Sequence, residues 1–141
     1  MKKILVAVDI ARSGGNDKVI NTAKAIAGAM DGEIYLMHAV EPLPGRVLPE
    51  IPESVIGQQK AYAEEKMAEL KETHGIANGV LLDGPAPRMI LEYAEEIGAD
   101  LIVLHSHDPD FSDYFLGSCA GRVVRHAHCS VHIVREAKGG R

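Results

Sequence analysis

The chain has 141 residues, a formal charge of -5 and a hydrophobic fraction of 46%, which suits one globular domain burying roughly two thirds of its unfolded surface. Aromatic residues at 4% with no Trp, together with scattered basic residues such as Lys18, Lys60, Arg88 and Arg122, exclude a stacking platform or a basic patch for nucleic acid. The opening apolar run Ile4-Leu-Val-Ala-Val8 stops at Asp9, too short for a secretory core or a membrane span, so a cytoplasmic protein is expected.

Five branched-aliphatic runs read as strands: Ile4 to Val8, Glu33 to Val40, Gly79 to Leu82, Leu101 to Leu104 and Ser130 to Val134. Helical patterns lie between them. Val19, Ile20, Ala23, Ile26, Ala27 and Met30 recur at helical spacing, and Asp31-Gly32 is expected to end that helix with a C-terminal glycine. Ile56, Ala63, Met67 and Leu70 form a second stripe closed by Gly75, and Ile90, Tyr93, Ala94 and Ile97 a third, with Pro87 near its start and Gly98 at its end. A fourth helix is expected from Gly117 to about Ala127. The segment Glu41 to Pro52, with four prolines, cannot be helical and reads as a flap or a connector. The tail 136–141 is expected to fray.

Strands that alternate with helices imply right-handed crossovers and a parallel sheet covered on both faces: an α/β domain spanning 1–141, three layers deep. Such an open sheet binds ligands beyond the carboxyl ends of its strands, where strand order reverses. With the order 3-2-1-4-5 that point falls between the first and fourth strands, beside Asp9 and the group His105, Ser106, His107 and Asp108. The fourth strand runs through a polar loop into Gly117-Ser118. There the first N–H groups of a helix, with the positive end of its dipole, favour an anion.

Cys119 and Cys129 stand ten positions apart, without the close spacing of a metal knuckle or redox pair, and both read as reduced. Cys119 carries one reservation, because it falls just inside a helix N-terminus, where a thiol pKa can be lowered. His126, His128, Cys129 and His132 are of zinc-binding types, but His126 should end a helix while His132 alternates along a strand, so they are not expected to converge. Ser130 to Val134 would be an edge strand, whose free N–H and C=O groups call for cover, and pairing with a second copy is the preferred reading.

The chain resembles the universal stress proteins. The likeness is carried by Ile4-Leu-Val-Ala-Val-Asp9, Leu36-Met-His-Ala-Val-Glu-Pro42, Gly84-Pro-Ala-Pro-Arg-Met-Ile-Leu91 and, most specifically, Leu116-Gly-Ser-Cys-Ala-Gly-Arg-Val-Val-Arg-His-Ala-His-Cys-Ser-Val131. It implies a five-stranded sheet of order 3-2-1-4-5, a homodimer and bound ATP. By position, Ala7, Val8 and Asp9 would lie against the adenosine, with the Asp9 carboxylate reaching the ribose or a phosphate-bound metal. Ala39 would meet the adenine edge. Ser106, His107 and Asp108 would line the phosphates, and Gly117, Ser118 and Cys119 would offer them backbone N–H groups.

His105 and Asp108 stand where nucleotide-binding members carry glycines. The stretch Ser106 to Ser118 is similar instead to the shorter Ser-His-x-Pro-Asp loop of one branch, which also holds adenine nucleotides. Asp108 and Asp110 would repel a triphosphate, so Mg²⁺ or Mn²⁺ is expected with ATP, AMP or ADP. No Walker lysine and no nucleophile–base pair is evident, which favours nucleotide binding without rapid turnover. A nucleotide-free homodimeric scaffold, and a slow ATPase or self-phosphorylating protein, are the other readings.

Overall fold

A computed structural model describes residues 1–11, 14–41, 53–106 and 117–135, with the side chains of 53–56 left aside. The elements follow in the order β1 (Lys2–Ala7), α1 (Asn16–Met30), β2 (Gly32–Val40), α2 (Glu53–His74), β3 (Asn78–Asp83), α3 (Ala86–Ile97), β4 (Leu101–Ser106), α4 (Ser118–His126) and β5 (Ser130–Arg135). All five strands are parallel, in the order β3-β2-β1-β4-β5. The fold is the expected α/β sheet. The expected flap and tail fall outside the described residues, at 42–52 and 136–141.

Alternate residues of the central strands feed two cores. Ile4, Val6, Leu36 and Val103 face α1 and α2, where Val19, Ile20, Ala63 and Met67 meet them; Leu5, Met37, Ile102 and Leu104 face α3 and α4, against Ile90, Ala94, Ala120 and Val123. Residues Leu101 to His105 are buried throughout, because β4 has strands on both sides and helices on both faces. Ile20 is fully buried, and truncating it to Ala should cost about 3 kcal/mol in lost transfer energy and residual cavity.

Helix punctuation follows the expected logic with one correction. Gly98 ends α3 in the left-handed conformation (φ 68°), and Pro87 sits in its first turn, where the missing N–H is no loss. At the end of α1, however, Asp31 rather than Gly32 is left-handed (φ 52°), donating its N–H to the Ala27 carbonyl. Gly32 already belongs to β2, where space is the constraint: a Cβ there would lie 2.7 Å from Cδ1 of Ile4. Aspartate is among the few residues that tolerate this backbone region, so the turn does not need the glycine.

Candidate ligand cleft at the carboxyl ends of the strands

At the carboxyl ends of β1, β2 and β4 lies a cavity of about 230 Å³, lined by Ala7, Val8, Asp9, His38, Ala39 and Glu41 on the strand side. Ala86 and Ile90 of α3 line it on one side, Leu104 and His105 of β4 along the sheet, and Gly117 with Ser118 to Ala120 of α4 on the other side. The position follows from topology. Crossovers from β1 and β4 leave in opposite directions, so the strand ends separate there and leave a cleft.

Seven of the ten residues placed by the resemblance around a nucleotide line this cavity, Ala7, Val8, Asp9, Ala39, Gly117, Ser118 and Cys119, and His105 joins them. Ser106 is the last residue of β4, paired in register with Arg135, and is not among the lining residues. His107 and Asp108 lie outside the described residues. His105 and Ser106 belong to the strand itself rather than to the loop beyond it. His105 is buried and is among the residues that line the cavity.

His38, Glu41, Ala86 and Ile90 were not legible as lining residues. Their only sequence signal is position at the end of the second strand or near the start of the third helix, and which strand neighbours which decides whether they face the cleft.

The segment that presents Asp9 is braced at four successive amides. Val8 N–H donates to the Met37 carbonyl (2.9 Å), Asp9 N–H to Oδ1 of Asn16 (2.9 Å), Ile10 N–H to Nδ1 of His38 (3.2 Å) and Ala11 N–H to Oδ1 of Asp9 itself (3.2 Å). The Asn16 side chain closes a second bond, Nδ2–H to the Asp9 carbonyl at 2.9 Å. A strand end without a next strand residue to pair with thus satisfies its backbone groups through side chains from α1 and β2.

Gly117 precedes α4, and no side chain caps that helix; the first hydrogen bond of the helix runs from Gly121 N–H to the Gly117 carbonyl at 2.9 Å. The N–H groups of Ser118, Cys119 and Ala120 therefore have no intrahelical acceptor. These residues flank the cavity, where the N-terminal dipole adds positive potential. A helix N-terminus can lower a thiol pKa, but at Cys119 burial, then the carboxylates of Glu41 and Asp9, push the thiol up. Loss of solvation and two nearby negative charges outweigh the helix terminus.

Elsewhere, His126, His128 and Cys129 contribute to a different cavity of about 250 Å³ between α3 and α4. Among the described residues no group of three or more His, Cys, Asp or Glu side chains is arranged to hold a metal ion. Both cysteines are free thiols. No described helix is long and apolar enough to cross a membrane.

A doubly wound parallel sheet, with an acid beyond β1 and a glycine-led helix start lining one cavity at the switch point, defines an open α/β fold with a candidate ligand cleft. The sequence profile of the universal stress protein family matches residues 1–135. The chain belongs to that family. A universal stress protein of Methanocaldococcus jannaschii is 31% identical over 147 aligned residues, which cover 97% of this chain and 84% of that relative. Universal stress protein UspA from Lactobacillus plantarum superposes with a TM-score of 0.76 at 23% identity, over 95% of this chain and 97% of that one. A universal stress protein solved in complex with cAMP superposes with a TM-score of 0.68 at 19% identity, over 96% and 98%. At such identities the two structures establish the fold.

Proposed function

We propose that the protein is a cytoplasmic, ATP-binding regulatory module of the stress response that holds adenine nucleotide without rapid turnover. One observation carries the reading: the cavity at the switch point joins the Asp9 carboxylate to the uncapped N-terminus of α4. The small side chains of Ala7, Ala39, Ala86 and Ala120 leave room for a flat base between sheet and helices. The N–H groups of Ser118, Cys119 and Ala120 would receive phosphate oxygens, with the Ser118 hydroxyl as a further donor. A family member crystallised with cAMP supports the same ligand class.

Asp9 and Glu41 are both acidic, and no Lys or Arg is among the described lining residues, so a triphosphate would bring Mg²⁺ or Mn²⁺ with it. The metal would screen the phosphates from the two carboxylates. The same acidity favours the second reading, a scaffold that works without nucleotide. In either case β5, at the sheet edge, would pair through Ser130 to Val134 with a second copy, which light scattering would read as twice the monomer mass.

Released small molecules from denatured protein decide between the two readings. Co-purified AMP, ADP or ATP, or stabilisation by about 2.7 kcal/mol at 100 times the dissociation constant of added Mg-ATP, supports the module. Their joint absence leaves the scaffold. Time-dependent ADP formation abolished by Asp9→Ala would instead mark a slow ATPase.

A further inference from the structure

We propose that Asn16 is a positioning residue that fixes Asp9 to recognise a ribose cis-diol, so that the cleft selects ribonucleotides over 2′-deoxyribonucleotides. The inference rests on the adenine-nucleotide reading and deepens it. Asn16 opens α1, and both ends of its amide bond the same neighbour: Oδ1 takes the Asp9 N–H and Nδ2–H goes to the Asp9 carbonyl, both at 2.9 Å. The pair imitates one rung of a β-ladder and holds the residue at both backbone groups. His38 adds a second hold one residue on, through the Ile10 N–H.

A carboxylate has about four acceptor positions. Ala11 N–H occupies one on Oδ1, and the group still lines the cavity. What such a group recognises is O–H or N–H, because it can only accept. Phosphate oxygens offer no donor at neutral pH and repel it. A ribose offers two adjacent hydroxyls, the pattern that acids at strand ends use in doubly wound nucleotide sites. Discrimination against a sugar lacking one hydroxyl depends on the acid being held still, since a mobile side chain recovers the loss by turning to water. Asn16 fixes the backbone from which the carboxylate projects, the Ala11 N–H fixes one carboxylate oxygen, and Asn16 thus acts without reaching the ligand itself.

Calorimetric titration with AMP and 2′-deoxy-AMP, without divalent cation, tests this. Wild-type protein should prefer AMP by about tenfold, the factor expected for one hydrogen bond to a charged acceptor. Asn16→Ala should narrow the preference to about twofold while AMP still binds, and Asn16→Ser, which can retain one of the two bonds, should fall between. Asp9→Ala should abolish the preference, and adding Asn16→Ala to it should change the ratio no further.

A purely structural Asn16 would weaken both nucleotides by one factor and leave their ratio intact. That result, or an undiminished ratio in Asn16→Ser should Asn16→Ala not fold, overturns the positioning role while the nucleotide reading stands. Failure of AMP, 2′-deoxy-AMP and adenosine alike to bind wild-type protein overturns both.

Discussion

The Nδ1 atom of His38 lies 3.2 Å from the Ile10 amide nitrogen and equally 3.2 Å from the Val8 carbonyl oxygen. An amide N–H can only donate, so in the neutral ring Nδ1 is the acceptor and the hydrogen resides on Nε2. Nitrogen-15 NMR of the imidazole should show that tautomer; a ring protonated on Nδ1 in the neutral state would contradict the arrangement. His38→Ala removes the acceptor from a part-buried N–H and should cost about 1–2 kcal/mol. For a domain of this length that lowers the melting temperature by a few degrees.

Cys119 should alkylate more slowly than a free thiol. Burial and the carboxylates of Glu41 and Asp9 raise its pKa, so less thiolate is present at any pH below the titration. The sign for stability follows. Above the unfolded thiol pKa, about 8.5, the unfolded chain ionises first and the folded state loses stability as pH rises through the higher folded value. Iodoacetamide kinetics between pH 7 and 10 should show the delayed onset, and Glu41→Gln should bring it to lower pH.

Glu41→Gln should also strengthen metal-free ATP binding by about fivefold, near 1 kcal/mol, by removing one repulsive charge from the cleft. Added salt should shrink the gain, since screening acts on the same repulsion. An affinity unchanged at low salt would place the phosphates away from this wall.

Gly32→Ala should destabilise by about 1–3 kcal/mol, though φ at Gly32 is not left-handed. The new methyl would sit 2.7 Å from Cδ1 of Ile4, a fully buried side chain that must shift to admit it. Chemical denaturation should show a lower midpoint at an unchanged slope. Ile4→Val in the same chain should recover part of the loss, because the clash is with that methyl group.

By itself the sequence determined the alternation of strands and helices. Apolar runs ending at Asp9, Val40 and Leu104, and glycines such as Gly75 and Gly98, are local signals that the backbone reads within a few residues. Cleft residues close to a strand tip or a helix start, Asp9, Gly117 and Ser118 among them, were legible for the same reason. Only the tertiary structure decided what those residues meet. The clamp of Asn16 on Asp9 depends on the start of α1 lying beside the end of β1, and the grip of His38 on Ile10 depends on β2 lying beside β1. The Cys119 thiol showed the same dependence: a helix start argues for a low pKa, but burial, and then two acids from other parts of the fold, raise it. Hydrogen bonding and Coulomb effects act through space, and spatial neighbours 28 residues apart in the chain, such as Ile10 and His38, leave no periodic trace in it.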